Sequence, residues 1–138
     1  MAELIMGSPV VAGEASGDVL AASESLSFWG GYDHHTGEIT DRRHPLSGAN
    51  GAGKILALPY SRGSSTTSAV LLEAVREGKA PAAIITTGAD SFFALASITA
   101  HEMYQKSFVV ISVSKEDFRK ILKSKSAIIN EDCSIEIS

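Results

Sequence analysis

A short apolar run, Lys54-Ile55-Leu56-Ala57-Leu58, leads into Pro59-Tyr60-Ser61-Arg62-Gly63-Ser64-Ser65-Thr66-Thr67-Ser68, and a second apolar run opens at Ala69-Val70-Leu71-Leu72. The first run has the length of a buried strand, and the second keeps a helical period through Glu77 up to Gly78, where a helix ends readily. A strand that feeds a helix through a hydroxyl-rich turn commits this stretch to an α/β arrangement. Gly63 lets the backbone turn or approach a ligand closely, and any of Ser64 to Ser68 can cap the helix that follows. Free N–H groups and the positive end of the helix dipole then face whatever anion sits there. Arg62 adds a planar fork of donors suited to a carboxylate or phosphate. Two readings stand side by side: an anion site carrying hydroxyls, or an ordinary Ser/Thr cap. The loop is neither a Walker phosphate loop, since no lysine follows the glycine in the required place, nor a nucleophile elbow, since Thr66 stands where a second glycine would be needed.

The rest of the chain extends this pattern. Val10-Val11-Ala12 and Asp18-Val19-Leu20-Ala21-Ala22 read as short strands separated by Gly13, Ser16 and Gly17. Residues 26–40 put aromatics beside Gly30-Gly31, which suggests a bulge or a close backbone contact, and then a polar turn. Residues 47–53 form a turn-rich linker. Beyond the helix expected over 68–77, strands are expected over 81–87 and 108–113, helices over 92–104 and 116–123, and a final strand pattern over 127–137. The expectation is therefore an α/β domain spanning 1–138, strand-rich in its first half and alternating strand with helix in its second.

Charge and composition exclude several classes. A net charge of -4 without a Lys/Arg cluster argues against nucleic acid as a partner. No run approaches a membrane span, and the start lacks a basic segment leading into an apolar core, so no membrane association and a cytoplasmic location are expected. The single cysteine, Cys133, can form neither an internal disulfide nor a cluster site. His34, His35 and His44 lie near Asp33 and Asp41, but adjacent histidines in a polar turn are expected to point apart into solvent, and no metal site is expected. His101 and Glu102 read as solvated helix positions, Asp90 as a helix cap or partner contact, and Trp29 as a core or interface residue.

Taken in order, Ser27-Phe28-Trp29-Gly30-Gly31, Asp33, Thr36-Gly37, His44-Pro45-Leu46, Gly53-Lys54 and Arg62-Gly63-Ser64-Ser65 resemble the small swivel unit of the aconitase X family across nearly the whole chain. The resemblance implies a swivelling β/β/α domain that closes over a large subunit bearing iron or an iron–sulfur cluster, with none bound by this chain. It implies a hydro-lyase active only with that large subunit, in which Ser64 takes a proton while hydroxide leaves toward the partner's iron. Arg62, Gly63, Ser65 and Thr66 would contact a small anionic substrate, and Trp29, Gly30, Gly31 and Asp33 would line the site or meet the partner. Ordinary aconitases follow the two serines with Arg-Glu; this chain has Thr66-Thr67, which disfavours citrate and isocitrate. The family's substrates are cis-3-hydroxy-L-proline and mevalonate 5-phosphate. With only 20% charged residues the chain lacks a hyperthermophile's charged surface, which favours the first. A reading from another class is a non-catalytic anion-binding or regulatory module that uses the same loop.

Overall fold

A computed structural model describes residues 3–60, 65–88 and 91–138, with the Ser65 side chain outside the description. In chain order the elements are β1 (Glu3–Met6), β2 (Ser8–Val11), β3 (Ala15–Ala21), α1 (Phe28–Gly31), β4 (Ile55–Ala57), α2 (Ser65–Arg76), β5 (Ala83–Thr87), α3 (Ser91–Tyr104), β6 (Val109–Val113), α4 (Lys115–Leu122), β7 (Ser126–Ile129) and β8 (Ser134–Ile137). The strands form one sheet in the order β1-β8-β7-β3-β4-β5-β6-β2. Its terminal members, β1 and β2, are joined by the single residue Gly7, so the sheet closes into a near-barrel.

Strand β3 turns one corner, and β1 with β2 turns the other. The first half of β3 pairs antiparallel with β7 and its second half pairs parallel with β4. Likewise β1 pairs with β8 and β2 with β6, both antiparallel. Such sheet-switching corners need a bend and close backbone approach. Gly7 supplies both, because its N–H donates to the Cys133 carbonyl at 2.9 Å while the space where a Cβ would project is filled by the Ile111 side chain.

The period-two patterns decide where the core lies. Ile55 and Ala57, Ala83 and Ile85, Val109, Ile111 and Val113 point to one side, where they join Ala127, Ile129, Ile135 and Ile137, with Phe118 and Ile121 of α4. Leu56, Ile84 and Val110 point to the other side, against Val70, Leu71, Ala74 and Val75 of α2 and Phe93, Ala96 and Ala100 of α3. Strands β4, β5 and β6 are parallel and buried on both faces, which explains their continuous apolar composition.

The expected β/α alternation of the second half holds, with three differences. The final strand pattern is a hairpin, β7 and β8, turning at residues 130–133. Ser16 and Gly17 lie within β3 and do not interrupt it, since a strand at a corner tolerates glycine where another backbone passes; here the Gly53 carbonyl would lie 3.0 Å from a Cβ on Gly17. Helix α2 begins at Ser65, so residues 65–68 form its first turn. Strand β1 gives no signal of its own in the sequence, as only Ile5 of its four residues is buried. Among the described residues no helix is long and apolar enough to cross a membrane.

Candidate functional site

The C-terminal ends of β4, β5 and β6 lie side by side, and from them the chain departs into α2, α3 and α4. In a parallel sheet this edge is where ligands gather, because helix N-termini and connecting loops converge there. One atom fixes the departure from β4. The Pro59 carbonyl accepts from the Thr86 hydroxyl at 2.9 Å, the Thr87 hydroxyl at 2.6 Å and the Thr87 N–H at 3.2 Å. Thr86 is fully buried, so this polar cluster is shielded from water and stiff. The residues entering the loop at 61–64 are thereby anchored to β5.

Arg62, Gly63 and Ser64 lie outside the described residues, as does Asp90. Ser65 starts α2, and Thr66 is exposed on its first turn. The next two hydroxyls serve the fold: Thr67 is buried, and Ser68 donates to the Phe92 carbonyl of α3 at 2.8 Å. The first turn of α2 is therefore locked to α3, with the positive end of its dipole at the Ser65 end of the helix.

At this edge lies a groove of about 440 Å³, lined by Pro59, Tyr60, Thr87, Lys115, Phe118 and Arg119 among others. Lys115 and Arg119 stand one helical turn apart on α4 and bring two cations to it. The N-terminus of α4 is satisfied internally, as the Ser114 hydroxyl accepts from the Asp117 N–H at 3.1 Å. Residue-by-residue reading of the sequence missed Lys115, Arg119, Thr86 and Thr87. The two threonines did leave a signal, being hydroxyls at the end of an otherwise apolar strand.

Other expected residues lie elsewhere or behave differently. Trp29 is 70% exposed, so the core reading fails and a surface role remains. It sits in α1, a single turn broken at Trp29 and Gly30; Gly31 is in close contact, since a Cβ there would meet Leu26 at 3.2 Å. Asp33 organises the next turn: its carboxylate accepts from the His35 N–H at 2.8 Å, and this bond holds its pKa below the ordinary value. His34 and His35 do not point apart. Their rings lie 4.1 Å apart and both face Glu77 at the end of α2. His44 is buried and structural, with Nε2 3.0 Å from the Glu24 carbonyl and Nδ1 accepting from the Leu46 N–H. His101 and Glu102 are exposed, as expected.

An iron–sulfur cluster does not fit the described residues. Cluster ligation takes several thiolates, and Cys133, the chain's one cysteine, is buried in the sheet's interior cluster.

Comparison with known proteins gives the context for this geometry. The family model described as the aconitase X swivel domain matches residues 4–137. The chain is 48% identical over 109 residues to the cis-3-hydroxy-L-proline dehydratase of Pseudomonas aeruginosa, covering 79% of this chain and 19% of that protein. It is 41% identical over 96 residues to the phosphomevalonate dehydratase small subunit of Thermococcus gammatolerans, covering 70% of this chain and 73% of that subunit. The chain thus spans about a fifth of the first relative and most of the second. A crystal structure of aconitase X from Thermococcus kodakaraensis superposes with a TM-score of 0.83 at 30% identity, covering 99% of this chain and 98% of the other. Corner strands, parallel-strand edge and loop-to-helix junction all fall within this matched span, and the chain belongs to the aconitase X swivel domain family.

Proposed function

We propose that this chain is the small subunit of a dehydratase that removes water across a carbon–carbon bond, working with a larger partner that carries the iron centre. The observation that carries the reading is the family match over residues 4–137, within which the N-terminus of α2 lies at the C-terminal edge of parallel strands. In this reading Ser64 accepts the substrate proton, Arg62 with the backbone of Gly63, Ser65 and Thr66 receives the substrate's anionic group, and Lys115 and Arg119 supply further positive charge from the groove. Trp29, Gly30, Gly31 and Asp33 meet the partner or line the site.

Energetics explain why assembly matters. An aliphatic hydroxyl is about as weak an acid as water. Bringing it to working pH takes about 8 units, or about 11 kcal/mol. A helix N-terminus contributes at most about 2 kcal/mol. The balance comes from Arg62, from exclusion of water on closure and from groups of the partner, acting only in the closed complex. The isolated chain is therefore inactive in this account.

For substrate we favour cis-3-hydroxy-L-proline over mevalonate 5-phosphate. The lean toward it rests on the 48% identity to the Pseudomonas protein and on the modest surface charge. The deciding test is Ser64→Ala in the assembled enzyme, assayed on both substrates. Assembly should persist and turnover should be abolished; unchanged turnover would remove Ser64 from the reaction. The two cations in the groove also favour a second reading, an anion-binding module without catalysis. That reading predicts phosphate or carboxylate binding by the isolated chain, and no dehydratase activity on co-expression with any large subunit.

A further inference from the structure

The turn at 33–37 and the last turn of α2 come together around three side chains that the dehydratase reading does not use. His35 Nδ1 lies 2.7 Å from Glu77 Oε2, and His34 Nδ1 lies 3.4 Å from Glu77 Oε1. The donor atoms of all three residues lie within 4.8 Å of one another. Two imidazole nitrogens and a carboxylate form a donor set used by zinc and other divalent transition metals. Bonds of about 2.0–2.2 Å in a tetrahedron place ligands about 3.3–3.6 Å apart. The 3.4 Å between His34 Nδ1 and Glu77 Oε1 already has that value; His35 Nδ1 faces the other carboxylate oxygen at 2.7 Å, so the Glu77 carboxylate must turn to present one oxygen to both rings.

Two further observations separate this cluster from a plain ion pair. His34 Nδ1 is buried and makes no hydrogen bond; its approach to Glu77 is close enough for attraction but has the wrong geometry for N–H donation. A nitrogen lone pair facing a carboxylate oxygen is repulsive until a cation lies between them. The turn that carries both histidines is also built independently of Glu77. The Asp33 carbonyl accepts from the N–H groups of Thr36 and Gly37, the Asp33 carboxylate from that of His35, and Asn50 Nδ2 donates to the Thr36 carbonyl. Ligands on a preformed turn lose little entropy on binding. Arg76 approaches Glu77 at 3.4 Å, but its shorter contacts, 2.7 and 2.9 Å, go to Glu73, so it can yield to a metal without losing its partner.

We infer that His34, His35 and Glu77 bind one zinc-class divalent cation, whose fourth position is open to water beside the exposed His35. The ion would clip the 33–37 turn, and with it the Trp29 segment, to the helix that leaves the 61–64 loop. The proposal does not depend on the dehydratase reading.

The test is titration of the full chain, stripped with chelator, with Co²⁺ followed by Zn²⁺, read by the visible bands of tetrahedral Co²⁺ and by equilibrium dialysis. One equivalent should bind and be displaced by zinc, and zinc should raise the melting temperature. His34→Ala and Glu77→Gln should each weaken binding by at least about 100-fold, since loss of even an outer-shell partner costs about 10–100-fold. Cys133→Ser and His101→Ala should bind as the parent does. Glu77→Gln keeps the side chain's length and a carbonyl for His35, so it decides the matter if the histidine variant fails to fold. Failure of the parent chain to bind, or binding unaffected by Glu77→Gln, overturns the proposal.

Discussion

Replacing Gly7 by alanine probes the closure of the sheet. An added Cβ would overlap Ile111 Cγ2 and lie 3.3 Å from the Ser112 carbonyl and 3.5 Å from the Cys133 carbonyl. The backbone cannot retreat easily, because the Gly7 N–H is bonded to Cys133 on one side, and Ile111, fully buried among the interior side chains, blocks the other. Overpacking a filled core costs typically 1–3 kcal/mol, and two fixed walls put this case at about 2–3 kcal/mol. For a chain of this size that lowers the melting temperature by roughly 6–15 °C. Urea unfolding followed by circular dichroism should show a lower midpoint with unchanged slope. Ile111→Ala alone should cost about 2–5 kcal/mol through its cavity. In the double variant the new methyl enters space the isoleucine has vacated, so the two costs should fall short of their sum by about 1–3 kcal/mol. Additivity within about 0.5 kcal/mol would refute the claim that Ile111 is what makes glycine necessary.

Three other perturbations test separate parts of the structure. The buried Tyr32 phenol donates to the Lys79 carbonyl at 2.7 Å, and burial pushes its pKa up; stability should be full below the phenol's ordinary value near 10 and decline as pH rises beyond it. Tyr32→Phe should cost about 1–2 kcal/mol at neutral pH and flatten that alkaline decline in melts between roughly pH 9 and 11. Asp132 accepts from the Ser134 hydroxyl at 2.6 Å and N–H at 2.9 Å, which hold its carboxyl below the ordinary value, so its contribution is present above about pH 4 and lost as pH falls through the lowered value. Asp132→Asn should therefore reduce the drop in melting temperature between pH 5 and pH 2, and an unchanged acid profile would discount the bond. Arg119→Ala in the assembled enzyme should raise KM several-fold with a smaller change in kcat, if the groove receives the substrate's anionic end; a KM equal to that of the parent would dissociate the groove from binding.

The alternation of β4, α2, β5, α3, β6 and α4 was legible because strands buried on both faces are short and mainly apolar, while charged residues such as Glu73, Arg76, Glu116 and Lys120 mark the solvent faces of α2 and α4. The β7–β8 hairpin was not, because the positive φ of its turn falls on Cys133 where a glycine would have announced it. The histidine cluster was hidden for a different reason. His35 meets Glu77 across 42 residues of sequence, and only the packing of the 33–37 turn on α2 brings them together. Lys115 and Arg119 resemble any solvated helical face until the β6–α4 connection places them beside Tyr60. Trp29 was misjudged in one respect: its apolar bulk suggested burial, yet the break in α1 turns it outward.

The corner strands also decide how another protein can take hold of this one. Strand β3 pairs along one stretch with β7 and along the rest with β4, and β1 and β2, joined through Gly7, pair with β8 and β6 in turn, so no strand, among the described residues, has a bare flank longer than about four residues at these corners. A visiting chain therefore finds no ladder long enough to extend, and strand addition is a poor way to recruit this domain. Contact must be made through side chains and loop tips. Surfaces of that kind part and meet again without unzipping a row of backbone hydrogen bonds, as a unit that opens and closes over its partner on every catalytic cycle would require.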